Sequence, residues 1–206
     1  MKALIQTFEL LNRQSGKFEP ADLYEGIDEK NIEDFERTWR PAFANQLPDD
    51  TSAVERVAAG AEDAKWDWKR LAEVLGNPLL FTMYAVECAG QTQGLSLVRK
   101  GGAFSQHPDH ERADLVYIER IATAPWNRPK FTDKPLYKGV GQLLVAAAVD
   151  LSFDEELGGR IGLHSLPGAE TFYRDVVGMT DLGADIKYYG LQYFELSNAQ
   201  AAKFLE

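Results

Sequence analysis

The order strand, glycine-opened helix, strand across residues 114–165 limits the fold more than any other feature of this chain. Asp114-Leu115-Val116-Tyr117-Ile118-Glu119-Arg120-Ile121-Ala122-Thr123-Ala124-Pro125 is rich in β-branched and aromatic residues, and its closing proline cannot continue a central strand. Tyr137-Lys138-Gly139-Val140-Gly141-Gln142-Leu143-Leu144 opens an apolar helix that Gly158-Gly159 stops, and Arg160-Ile161-Gly162-Leu163-His164-Ser165 reads as a second short strand. Such a succession forms a right-handed βαβ unit with its two strands parallel and its helix on one face.

Gly139 and Gly141 stand where the first helical turn exposes backbone N–H groups beside a positive dipole end, and without Cβ atoms they let a phosphate approach the backbone. A dinucleotide fingerprint is excluded, because Leu144 stands three past Gly141 and residues Trp126 to Leu136 separate strand from glycines. A Walker loop is excluded because Lys138 precedes its glycine.

The run Leu136-Tyr137-Lys138-Gly139-Val140-Gly141, following the strand end Thr123-Ala124-Pro125, resembles the acetyl-CoA signature of the GNAT superfamily of N-acetyltransferases. That signature is Arg or Gln, two residues, Gly, one residue, Gly or Ala, opening a helix after a strand that ends Val-x-Pro. Leu136 takes the place of the usual Arg or Gln, and Lys138 can supply a point charge instead. Downstream, Leu163 to Met179 is similar to the family's next strand and helix, with Phe172-Tyr173 and Gly178-Met179 in place of Phe-Tyr and Gly-Phe and one extra residue between Tyr173 and Gly178. The resemblance covers about residues 114–196.

It implies an α/β (α+β mixed) fold with a mostly antiparallel mixed sheet, a central parallel βαβ unit and flanking helices, as a single domain over residues 1–206. It also implies acetyl-CoA as co-substrate and direct N-acetylation of an amine-bearing acceptor, small molecule or protein. By position, Ile121, Ala122 and Thr123 would bind the pantetheine arm and polarise the thioester, the amides of Gly139, Val140 and Gly141 would hold the pyrophosphate beside Lys138, and Ser165 would line the cleft. Glu119 is the candidate general base, sharing a strand face with Ile121 and Thr123 and expected to be buried; the alternative is an ion pair across the sheet. Tyr173 is the candidate acid for the departing thiolate, the alternative being packing beside Phe172. His164 and Ser165 are adjacent on a strand and point to opposite faces, which excludes a Ser-His nucleophile.

Composition narrows the alternatives. The chain has 206 residues, 45% of them hydrophobic, enough for one ordinary core. Its single cysteine, Cys88, excludes an intrachain disulfide and fits a reducing compartment. Gln6 and Glu9 interrupt any signal-peptide core, and no segment approaches the roughly 20 apolar residues of a membrane span, so a cytoplasmic protein without a membrane partner is expected. The formal charge of −10 argues against nucleic acid, while Arg120, Arg128, Lys130, Lys134 and Lys138 form a local basic collar around the glycines. His107-Pro108-Asp109-His110-Glu111 lacks a third ligand at a recognisable spacing and reads as a solvated loop, so no metal is expected.

Elsewhere, Leu4–Leu11 and Lys17–Tyr24 read as extended segments joined by a turn at Gln14-Ser15-Gly16. Asn31–Leu47 reads as an amphipathic helix capped near Asn31, with Ile32, Phe35, Trp39 and Phe43 on one face and Pro41 inside it. The polar stretch Pro48 to Ser52 precedes a helix over Glu62–Leu75, ended by Gly76-Asn77-Pro78. Strands are expected over Leu79–Cys88, Leu95–Arg99 and Gly190–Leu196, with Lys100-Gly101-Gly102 a loop and Asn198 capping a final helix to Leu205. Trp66 and Trp68, two apart on the expected helix, would lie about 200° apart, leaving one for an acceptor pocket or a homodimer contact. Trp126-Asn127-Arg128 is a specificity candidate. Two other functions fit these features: a non-catalytic acyl-CoA-binding regulatory domain, and a protein-interaction module using Trp66, Trp68 and Trp126.

Overall fold

The computed structural model describes residues 2–47, 50–75 and 79–206. Its strands are β1 (Ala3–Asn12), β2 (Lys17–Glu25), β3 (Phe81–Cys88), β4 (Gln91–Phe104), β5 (Asp114–Thr123), β6 (Tyr137–Lys138), β7 (Ile161–Ser165), β8 (Thr180–Asp185) and β9 (Leu191–Leu196). They form one mixed sheet in the order β6-β1-β2-β3-β4-β5-β7-β9-β8. The chain packs as two compact units. One comprises Met1–Gly76, Met83–Ser96 and Ile121–Leu144, and the other comprises Asn77–Thr82, Leu97–Arg120 and Val145–Glu206.

In the first unit, β1 and β2 form an antiparallel hairpin, and β6 adds to β1 through the pairs Leu11↔Lys138 and Asn12↔Tyr137. The long amphipathic helix forms as expected, but in three pieces: α1 (Glu29–Asp34), a π segment (Phe35–Trp39) and α2 (Arg40–Gln46). Its cap is Asp28; Asn31 is the third helical residue and completes a capping box with it. The π turn, in which Arg40 N–H reaches back to Phe35 O, widens the helix ahead of Pro41, which thereby falls in the first turn of α2, where its missing N–H costs least. Phe35, Trp39 and Phe43 keep their common face and are buried.

One helix is added to those expected, and another is corrected. Ala53–Ala59 is a helix, α3, capped by Ser52 with Glu55 in a capping box and ended by Gly60 in the left-handed region. Glu62–Lys65 is a 3₁₀ turn, and the next helix, α4 (Trp68–Val74), starts only after Asp67, whose carboxylate accepts from Arg70 N. Trp66 therefore precedes the helix, and its ring meets that of Trp68 edge-on at 6.0 Å instead of lying opposite it. The Pro48-Asp49 pair and the Gly76-Asn77-Pro78 stop lie outside the described residues.

β3 and β4 are joined through Ala89 and Gly90, both at positive φ, the hallmark of a tight hairpin turn. Strand β4 runs on through Lys100-Gly101-Gly102, which is strand and not the expected loop. In the second unit β5 and β7 pair in parallel through Val116↔Ile161 and Tyr117↔Gly162, and helix α5 (Val140–Asp154) makes the crossover between them. β7 also pairs along its whole length with β9, and β9 with β8. The extra residue between Tyr173 and Gly178 is absorbed by a second π turn, Phe172–Val177, closed by Gly178 at φ 78°. The last helix, α6 (Asn198–Leu205), is capped by Ser197, with Asn198 its first residue.

Candidate active site

The glycine run is held at both ends. Upstream, Tyr137 is buried and its hydroxyl donates to Glu19 at 2.6 Å; burial and that carboxylate push the phenol above its ordinary range. Gly139 then takes φ +102°, a conformation strained for any L side chain, and its carbonyl accepts the first helical bond from Leu143 N at 3.0 Å. The N–H groups of Val140, Gly141 and Gln142 consequently have no partner within the helix, at its positive end, with Lys138 exposed beside them. A second glycine, which the sequence reading passed over, seats this turn. A Cβ on Gly94 of β4 would come within 2.7 Å of Val140 Cγ1 and 2.9 Å of Leu144 Cδ1, so its bare backbone is what lets the first turn of α5 settle there. Gly94 stood just before the expected strand Leu95–Arg99, and the earlier start of β4 at Gln91 puts it inside the strand.

The end of β5 is clamped by a residue assigned to a different role. Arg128 does not belong to an open basic collar: its guanidinium donates to Asp63 at 2.7 and 2.5 Å, to Thr123 O at 2.8 Å and to Gly60 O at 3.0 Å. Arg128 and Asp63 side chains are 15% and 5% exposed, so this is a buried bidentate pair that fixes the carbonyl of Thr123. The following loop is equally fixed. Buried Gln93 accepts from Trp126 Nε1 at 2.8 Å and Asn127 Nδ2 at 3.0 Å, and Trp126 packs edge-on against Trp39 at 6.3 Å. Trp68 is fully buried as well, so Trp66, Trp68 and Trp126 do not form an exposed aromatic set.

In the second unit the expected burial of Glu119 is not found. Its side chain is 27% exposed and accepts from Arg99 Nε at 2.8 Å, the cross-sheet ion pair, because β4 continues far enough to place Arg99 opposite β5. Arg99 also donates to Gly102 O at 2.8 Å. Tyr173 is buried, with its ring 5.2 Å from Phe172 and 5.9 Å from Phe194. Ser165 is buried too, and its hydroxyl donates to Leu166 O at 2.8 Å, turning it toward its own backbone. Burial pushes the Cys88 thiol up.

One constellation was missed. His164 Nδ1 lies 2.6 Å from the Tyr117 hydroxyl and its Nε2 3.2 Å from Asp185 Oδ2. Its ring is stacked between Tyr188, at 3.7 Å and 10°, and Tyr193, at 4.6 Å and 30°. Burial lowers the histidine's proton affinity below the ordinary value, against the raising effect of Asp185. His107, by contrast, caps the turn Pro108–His110 by accepting from Asp109 N at 3.2 Å. Among the described residues no group of three or more His, Cys, Asp and Glu side chains is placed to hold a metal ion, and no helix is long and apolar enough to cross a membrane.

No sequence-family model and no curated protein sequence matches the chain. Among solved structures it is similar to a protein of the yellow fever mosquito assigned as arylalkylamine N-acetyltransferase 7, with 12% identity, 95% of each chain covered and a TM-score of 0.54. It is also similar to the GNAT domain of S. lividans PAT, with 14% identity, 92% of this chain and 96% of that one covered and a TM-score of 0.52. A Bacillus anthracis protein assigned as a streptothricin acetyltransferase, solved in complex with acetyl coenzyme A, aligns over 58% of this chain and 64% of its own, with 20% identity and a TM-score of 0.42. The mixed nine-stranded sheet, the parallel β5–α5–β7 crossover and the first two likenesses agree: the chain has the fold of the GNAT-family acetyltransferases.

Proposed function

We propose that this chain is an acetyltransferase that takes its acetyl group from acetyl-CoA and transfers it directly to an amine of a small molecule or a protein. The observation that carries this reading is Gly139. At φ +102° it ends β6, opens α5 and leaves the N–H groups of Val140, Gly141 and Gln142 without helical partners, in a cradle that a Cβ would strain. A pyrophosphate fits that arrangement. Lys138 adds a charge, and the backbone of Ile121, Ala122 and Thr123 receives the pantetheine arm. Arg128 holds the Thr123 carbonyl in place at 2.8 Å. Acetyl-CoA supplies an activated thioester; the chain's part is to orient it, stabilise charge on its oxygen and manage protons.

For the acceptor, Glu119 offers a carboxylate that draws an ammonium group, and Arg99 keeps that carboxylate oriented. Tyr173 is the group proposed to protonate the leaving thiolate, and Ser165 is kept as a cleft residue. Among the described residues no cysteine or serine is placed as a nucleophile, which supports the proposed direct transfer. A non-catalytic acyl-CoA-binding domain is the second reading, favoured by the ion pair on Glu119 and by the inward turn of the Ser165 hydroxyl. Thiol release from acetyl-CoA in the presence of an amine panel separates the two: acceptor-dependent release supports transfer, and tight acetyl-CoA binding with no release from any amine supports the regulatory domain.

A further inference from the structure

We propose that Tyr117, His164 and Asp185 form a proton relay that deprotonates the acceptor's ammonium group, with the Tyr117 hydroxyl as the end that meets the amine, directly or through one water. The inference rests on the acetyl-transfer reading above. Its basis is geometric. Asp185 Oδ2 sits 3.2 Å from His164 Nε2, and a carboxylate only accepts, so the ring carries its hydrogen on Nε2 and leaves the Nδ1 lone pair to accept from the Tyr117 hydroxyl at 2.6 Å. The stack of Tyr188 and Tyr193 on the two ring faces prevents rotation and keeps this tautomer aligned. Tyr117 lies two residues before Glu119 on the same face of β5 and pairs with Gly162 of β7.

Every element packed on the histidine contributes a titratable or charged group, and their signs are consistent with the relay. From β5 come Tyr117 and Glu119; from β4 comes Arg99, whose guanidinium lies 5.0 Å from the Tyr117 ring centroid. From the end of β8 comes Asp185, from the turn after it Tyr188, and from β9 Tyr193. Burial pushes the Tyr117 phenol well above its ordinary range, which keeps it protonated and suits it to pass a proton and not to ionise. Asp185 and Glu119 both favour a charged His164, so an imidazolium formed there is compensated.

The proton balance is as follows. One N–H bond of the ammonium breaks and its proton goes to the Tyr117 oxygen while the original Tyr117 proton goes to His164 Nδ1. The amine keeps the electron pair for attack on the thioester, and the imidazole becomes an imidazolium facing Asp185. After transfer the amide product is too weak a base to reclaim the proton, which returns along the same path to water.

The test is the pH dependence of kcat/KM for thiol release from acetyl-CoA with the best amine of a panel, in the full chain. The parent is expected to lose activity on an acid limb with a midpoint below the ordinary histidine value of 6.5. His164→Gln and Tyr117→Phe should abolish that limb and lower kcat by about 100-fold or more, with the KM for acetyl-CoA retained. Asp185→Asn, at a side chain 22% exposed and therefore tolerant of change, should keep the limb but move it to lower pH. Glu119→Gln should raise the acceptor KM and keep the limb, moved to lower pH because Glu119 also favours the charged ring. A limb unchanged in His164→Gln, or carried by Glu119 alone, overturns the relay while leaving acetyl transfer standing. A parent that releases no thiol with any amine and binds no acetyl-CoA removes the acetyl-transfer reading and the relay with it. Nitrogen chemical shifts that place the hydrogen of neutral His164 on Nδ1 overturn the relay independently of activity.

Discussion

Replacing Arg128 with Met tests whether the buried ion pair at the end of β5 organises the first unit. The guanidinium makes two bonds to Asp63, at 2.7 and 2.5 Å, and further bonds to Thr123 O and Gly60 O. Truncation leaves the Asp63 carboxylate, 5% exposed, without its counter-charge. Stranding one partner of a buried pair costs about 3–5 kcal/mol. In a domain of this size that corresponds to a fall in Tm of roughly 6–20 °C. Urea unfolding followed by tryptophan fluorescence measures it, since Trp126 and Trp39 lie in the same unit. The double variant Arg128→Met, Asp63→Leu should recover most of the loss, because removing both charges also removes the stranded one. A single-variant loss below about 1 kcal/mol, the range of an exposed pair, would refute the reasoning, as would a double variant no more stable than the single one.

Three further outcomes follow from the same structure. Gly94→Ala should cost about 1–3 kcal/mol in urea unfolding, because the new methyl meets Val140 Cγ1 at 2.7 Å and neither β4 nor the first turn of α5 can yield freely. Stability should fall as pH drops from about 7 through the histidine range. His164 is depressed in the folded state, so the unfolded chain takes its proton first, near 6.5, and the contribution present above that value is lost as pH falls through the lower folded value; His164→Gln should flatten this part of the curve. Cys88, buried and with its thiol pushed up, should stay unreactive to a disulfide reagent until the protein is unfolded, so that native thiol release reports CoA alone.

The parts of the fold that were legible are those written in local periodicity. The β5–α5–β7 crossover follows from two short β-branched runs around an apolar helix with glycines at both ends, and the face of Phe35, Trp39 and Phe43 follows from helical spacing. Boundaries moved where two nearby residues could both cap, as with the neighbours Ser197 and Asn198 and with Asp28 and Asn31, three residues apart. The insertion before Gly178 and the proline at 41 were visible as anomalies, but only the structure shows a π turn absorbing the first and another preceding the second. Pairings across the sheet were the hardest part. Arg99 reaches Glu119 from the neighbouring strand β4, 20 residues away in sequence, and Arg128 reaches Asp63 across 65 residues of chain. His164 becomes a candidate only when β7 is flanked by β9 and the end of β8 with the turn after it brings Asp185 and Tyr188 to it, an arrangement no local pattern encodes.

The central claim is that the turn opened by Gly139 holds the pyrophosphate of acetyl-CoA. Calorimetric titration of acetyl-CoA into the parent and into Gly139→Asp tests it most directly, since the variant puts a carboxylate and a strained φ where the anion would sit. One-site binding by the parent and no measurable heat from a folded Gly139→Asp is the predicted result. Equal affinity in the two proteins, or no binding by the parent, would contradict it.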